Sequence, residues 1–261
     1  MRSYKRYHIL RILRNHPIDD HDWREVTDAL PLLQMLDAGE KAALRELTTL
    51  FLYYKKFRGV QGMEIDTEVR LTIAAQACLE ILKLGLDAYS GWLEIVVYPG
   101  AFRVKREQTD ELGLVSMEDN VLSGEAWGEG PVILSWDDVA RDSYHLHPGR
   151  NVVIHEFAHK LDMLNGRANG MPPLHPNMPI EAWTEALSHA YNRLLKQVSK
   201  GQHTRINPYA ATNPAEFFAV ICEYFFTSPD VLHHLEPAVY KQLRAYFLQN
   251  PLSRQHHGMS R

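Results

Sequence analysis

The chain has 261 residues, 45% of them hydrophobic, and a formal net charge of −4 from 28 Lys+Arg and 32 Asp+Glu. That length fits one large domain or two small ones, and the apolar share excludes a disordered chain. The mild acidity argues against a general nucleic-acid-binding surface, which needs clustered positive charge, but leaves room for a protein partner that itself binds DNA.

Residues 1–14 are basic and lack the unbroken apolar stretch and small-residue cleavage site of a signal peptide. A solvated, flexible end is the plainer reading and contact with a membrane surface the sharper one. No run approaches the ~20 apolar residues of a membrane span, so a cytoplasmic protein is expected. Residues 1–36, punctuated by Pro17 and Pro31, read as an N-terminal extension, and 37–250 as a single domain. Ala43, Leu44, Leu47, Leu50 and Phe51 predict a helix from about 37 to 57. Val69, Ile73, Ala77, Ile81 and Leu84 predict a second from about 67 to 84, stopped by Gly85. The β-branched run 94–98, weaker Gly-containing segments at 112–117 and 120–127, and Val132–Trp136 predict a small mixed sheet of roughly three to five strands. Helices are then expected at about 150–164, 180–199, 214–227 and 236–248, followed by a polar tail, 251–261, that reads as disordered. Cys78 and Cys222 sit in apolar runs without a CxxC pair and read as buried thiols of a reducing compartment, one disulfide being the alternative.

The chemistry is concentrated in Val152-Val-Ile-His-Glu-Phe-Ala-His-Lys-Leu-Asp162, which contains His-Glu-x-x-His. On a helix, His155 and His159 stand one turn apart on one face and can grip one ion. Two imidazoles, a carboxylate and a fourth open position suit zinc. Glu156 lies beside that stripe, where it can take a proton from the attacking water and later pass it to a leaving amine. Chance placement yields about 0.05 such matches in a chain of this composition, so context must carry part of the case. Ile154, Phe157, Ala158 and Leu161 supply it, forming an apolar stripe that buries the helix; a merely solvated polar face is the bland reading. Asp162 is a candidate to hold an imidazole from behind, against the bland reading of a surface carboxylate.

A third ligand must come from elsewhere, because Asn165 and Gly166 close the helix. The mostly apolar helix 213–226 carries two carboxylates, Glu216 and Glu223, seven residues apart on one stripe. A buried carboxylate needs a partner, and a cation is the most effective one. Glu216 also fits a helix-capping pattern with Asn213 and Pro214, so spacing leaves the choice between Glu216 and Glu223 open.

Several separated blocks then match a known pattern: Leu93-Glu-Ile-Val-Val-Tyr-Pro99, Gly130-Pro-Val-Ile-Leu-Ser-Trp136, His155-Glu-Phe-Ala-His-Lys-Leu-Asp162, Tyr209-Ala-Ala-Thr-Asn-Pro-Ala-Glu216, Glu223-Tyr-Phe-Phe226 and Asn250-Pro-Leu252. The chain resembles the Mlc titration factor A family of bacterial zinc peptidases, whose catalytic domain is similar to that of anthrax lethal factor. The resemblance implies zinc held by His155, His159 and Glu216, with Glu156 as the catalytic carboxylate and Glu223 left to support the ligands. It also singles out Tyr209, whose phenol would donate a hydrogen bond to the tetrahedral oxyanion; a packing tyrosine is the bland reading. It further implies a cytosolic aminopeptidase that binds the glucose repressor Mlc. The basic N-terminus departs from the family's pattern, and this bears on partner binding more than on chemistry.

The expected fold is therefore α+β and zincin-like, with a small mixed sheet and an active-site helix carrying HExxH. The lead reading is a zinc-dependent metallopeptidase acting on peptides, with no direct nucleic-acid role. The rival is a non-catalytic module that sequesters a transcriptional repressor.

Overall fold

The computed structural model describes residues 2–258 apart from 101, 110–114, 123 and 127–129, and describes side chains outside 2–5, 101–129 and 255–261. It opens with helices α1 (Arg2–Asn15), α2 (Asp20–Asp28), α3 (Pro31–Gln34) and α4 (Ala38–Tyr54). Asp19 caps α2 by accepting the N–H groups of His21 and Asp22. Trp23, Val26, Leu30, Leu33 and Leu36 then join the same hydrophobic cluster as the rest of the chain. A capping box starts α4: Asp37 accepts from the Glu40 N–H at 2.8 Å, and Glu40 accepts from the Asp37 N–H at 3.3 Å.

The sequence pattern carries α4 to about residue 57, but the helix stops at Tyr54 and strand β1 (Lys56–Gly59) follows. Lys55 turns extended, and its ammonium donates to the carbonyls of Tyr89 and Trp92 at 3.6 Å from the Trp92 ring centroid. Burial pushes that lysine down to about 8. A buried cation satisfied by two carbonyls is a tertiary event that helical spacing does not register.

The helix expected to run to about 84 ends earlier, as α5 (Thr67–Glu80); residues 81–84 are turns, and Gly85 follows them with a φ of +82°. Strands β2 (Glu94–Tyr98), β3 (Phe102–Thr109), β4 (Val115–Leu122), β5 (Gly124–Ala126) and β6 (Val132–Ser135) follow. One sheet has the order β1-β2-β6-β5, its first three strands parallel and β5 antiparallel to β6. β3 and β4 pair separately as an antiparallel hairpin. The weak strands expected at 112–117 and 120–127 fall partly outside the described residues, and β3 had no counterpart in the sequence reading.

The remainder is helical: α6 (Trp136–Tyr144), α7 (Val152–Asp162), α8 (Ile180–Ser199), α9 (Pro214–Thr227), α10 (Pro229–Leu235), α11 (Pro237–Phe247) and α12 (Pro251–Gly258). Three of these correct the sequence reading, one being α10, which falls between the helices expected at 214–227 and 236–248. Ser135 caps α6 right after β6, through the Asp138 N–H, where only a strand end was expected. The tail read as disordered continues as α12, with Arg254 on the Glu40 carboxylate and on Gln249.

The molecule is thus a helix-dominated α+β fold. Its centre is α5, buried along Leu71–Ile81 together with the polar Thr72, Gln76 and Glu80. The inner side of α7 packs through Phe157, whose ring meets those of Tyr89, Trp92 and Phe51 at 5.2, 5.7 and 5.8 Å. Cys78 and Cys222 are buried free thiols. No described helix is long and apolar enough to cross a membrane.

Candidate metal centre

Two helices build the site. α7 starts where Asn151 accepts the Ile154 N–H at 3.0 Å, an N-cap that fixes the phase of everything after it. The Asn151 amide is itself held, donating to Gln76 Oε1 at 2.7 Å, and Gln76 donates to Ser143 Oγ and Thr72 O. Asp142 accepts the Val152 N–H and pairs with Arg141 and Arg150. With the start of α7 anchored, its apolar stripe Ile154, Phe157, Ala158 and Leu161 is fully buried. His155 and His159 then project from the opposite side.

α9 starts with Asn213, which accepts the Glu216 N–H at 2.9 Å, and Pro214 in the first turn, so the capping pattern read in the sequence is present. That cap does not occupy the Glu216 carboxylate. It reaches His155 Nε2 at 3.0 Å and His159 Nε2 at 3.5 Å, and the two Nε2 atoms are 3.3 Å apart. Glu223, two turns further along α9, lies on the other side of His155 and meets Nδ1 at 2.8 Å. Its second oxygen accepts the Asn151 N–H. The two carboxylates that spacing left tied thus flank one imidazole from opposite edges.

Electrostatics follow from that placement. Burial opposes a charge on His155, but the hydrogen bonds to Glu216 and Glu223 override it and hold the imidazole well above its usual range. Burial raises Glu216, and the two histidines more than offset this, leaving it below the usual carboxylate range. Burial draws His159 down, with Glu216 opposing. Glu223 is raised by burial despite its contact with His155.

The three converging atoms test the site for a metal. A tetrahedral ion with nitrogen and oxygen ligands at about 2.0–2.1 Å spaces those ligands about 3.3–3.4 Å apart. The observed separations of 3.0, 3.3 and 3.5 Å bracket that spacing. His155, His159 and Glu216 are also a group of described residues able to hold a metal, the other being the exposed set His21, Asp22 and Glu25. In the buried triangle Glu223 supports His155 from its far nitrogen; the other set is solvated, with the His21 side chain 82% exposed.

The remaining candidates fall into place around it. Glu156 is buried at 4% exposure and near enough to His155 to favour its charged form. Tyr209, in the 3-10 turn Pro208–Ala211, is half exposed, its ring centroid 6.1 Å from that of His155. It therefore stands at the open side of the site. Asp162, the candidate to hold an imidazole, makes no hydrogen bond to one among the described residues. It accepts the Gly170 N–H at 2.7 Å, because α7 ends there and the following loop folds its N–H groups over the carboxylate. Sequence reasoning missed Asn151, Gln76 and Asp142. Asn151 alone left a signal, an N-capping residue just before the apolar stripe.

Comparison with known proteins points the same way. A family profile described as "Glucose-regulated metallo-peptidase M90" matches residues 1–248. Proteins called Mlc titration factor A from Salmonella arizonae and Escherichia fergusonii are 41% and 38% identical, over 87% and 90% of this chain and 90% and 89% of theirs. An uncharacterized protein of Synechocystis sp. is 39% identical over 92% of the chain and 88% of its own length.

Proposed function

The chain belongs to the glucose-regulated metallo-peptidase M90 family, and from that premise we propose that it is a zinc-dependent peptidase, an aminopeptidase, working at His155, His159, Glu216 and Glu156. The observation that carries this reading is the convergence of two imidazole nitrogens and one carboxylate oxygen from separate helices. His155, His159 and Glu216 would hold the ion, which when bound supplies Lewis acidity that makes water acidic and polarises a carbonyl.

The chain's own residues do the rest. Glu223 would fix the ring orientation of His155 by accepting its Nδ1–H, leaving Nε2 to face the ion once the ring is neutral. Glu156 takes the proton of the attacking water and delivers it to the leaving amine. Tyr209, at the exposed side, donates its phenolic O–H to the developing oxyanion. A zincin-like arrangement is supported by α7 lying against β5 and β6, with β5 forming the sheet edge along the helix. An extended peptide would pair with that edge through backbone hydrogen bonds.

The aminopeptidase specificity rests on likeness to the Mlc titration factor A family, and the name those relatives carry supports the repressor Mlc as a protein partner. Cytoplasmic placement accords with both. The test is Glu156→Gln. It should keep stoichiometric zinc while losing hydrolysis of amino-acid chromogenic substrates by about 10²- to 10⁴-fold. Undiminished hydrolysis would show the assignment to be wrong. A wild type that hydrolyses nothing across a peptide panel yet binds Mlc tightly would favour the sequestering module.

A further inference from the structure

We propose that two glycines, Gly149 and Gly170, clamp α7 onto α9 and so set the spacing of the ligand triangle, making them positioning residues for the metal. This rests on the metal reading above. The triangle is assembled across two helices, so the offset of α7 against α9 decides whether three atoms can share one ion. Ligand distances tolerate errors of only about 0.2 Å.

Each end of α7 is pinned to α9 by the same device. Before α7, Gly149 has φ +66° and lies flat on the Tyr224 ring, where an added Cβ would come to 2.1 Å of Cζ. The Gly149 N–H donates to Thr227 Oγ1 at 2.9 Å, and the Tyr224 hydroxyl is itself anchored, donating to Arg205 O. After α7, Gly170 has φ +78° and lies on the first turn of α9, where an added Cβ would come to 2.6 Å of Pro214 O. The Gly170 N–H donates to Asp162 Oδ2 at the end of α7, and its carbonyl accepts Trp183 Nε1–H at 3.1 Å. Thus the start of α7 is tied to the end of α9, and its end to the start of α9, two residues before Glu216. Both contacts need a left-handed residue with no side chain, which only glycine supplies without strain. A methyl at either point must push one helix along or away from the other, because the opposing atoms are an anchored ring and a backbone carbonyl.

Zinc affinity by chelator competition, well below the unfolding temperature, tests the clamp. Gly85→Ala is the control: its φ of +82° also makes a side chain there strained, but nothing lies within 4 Å of the added Cβ. Gly149→Ala and Gly170→Ala should each weaken zinc about tenfold or more, as loss of ligand support does, with Gly85→Ala at the wild-type value. The visible spectrum of the cobalt-substituted protein should shift in the first two and not in the control. Wild-type affinity in both clamp variants, or equal weakening in all three, overturns the proposal. If a clamp variant does not fold, Thr227→Val removes the acceptor of the Gly149 N–H; it should weaken zinc in the same sense, and unchanged affinity overturns the clamp. A wild type that binds no zinc sinks the metal reading itself, a result separate from these.

Discussion

At the scale of single residues, His155 holds the site together. Its two nitrogens face two carboxylates, and each carboxylate has a different task. Glu223 spends one oxygen on the imidazole and the other on the Asn151 N–H, so it orients, whereas Glu216 directs its oxygen at both Nε2 atoms. Glu223→Gln should therefore weaken zinc by about 10- to 100-fold without abolishing it, in contrast to His155→Ala, which should leave no stoichiometric zinc by elemental analysis. Tyr209→Phe keeps the ring and removes the donor. The expected result is a fall in kcat of about 10²- to 10³-fold with KM nearly unchanged, read from steady-state kinetics. Asp162 gives a pH signature of its own. Burial raises it to about 6, against the backbone N–H groups of Gly170, Met171 and Asn169. Between about pH 4 and 6 the native state therefore binds more protons than the unfolded chain, and stability falls as pH rises through that window. Urea unfolding of the metal-free protein should show wild type losing up to ~3 kcal/mol relative to Asp162→Asn across that range. Equal slopes for the two would contradict the burial of a charge at this position.

At the scale of elements, the start of α7 is as much a part of the site as the histidines. Asn151 caps the helix, carries the N–H that orients Glu223, and satisfies Gln76 in the interior of α5. Asn151→Ala removes the cap and strands a buried amide oxygen. The expected cost is about 2–4 kcal/mol in urea unfolding of the metal-free protein. Sequence periodicity read the helices well where one face is buried and the other solvated. α8 and α9 fall where the pattern put them, and so does the existence of α7. It failed where a short segment is governed by its neighbours. β1 has four residues and is a strand because β2 lies beside it; α6 follows a strand without any turn residue, because Ser135 caps it directly. Neither event leaves a period in the sequence.

At the scale of the molecule, one hydrophobic cluster runs from the N-terminal helices to α11. Leu30 and Leu33 are almost wholly buried in it, with Trp23 and Val26 beside them. Each fully buried side chain of this size contributes about 1.5–3 kcal/mol relative to exposure, and whole-protein stabilities are only about 5–15 kcal/mol. A chain lacking residues 1–36 should therefore lose cooperative thermal unfolding and aggregate; a truncated protein melting like the full chain would show that these helices are dispensable. What the sequence determined by itself is the chemistry available: a nucleating pair of imidazoles at helical spacing, a carboxylate between them, and an apolar helix downstream with two acids. What only the tertiary structure decided is which acid does what, because Glu216 and Glu223 share one stripe of one helix and differ only in how α9 lies against α7. Local spacing is set by the backbone of a single helix, whereas the offset between two helices is set by packing and by the contacts at their ends, and no linear pattern carries that information.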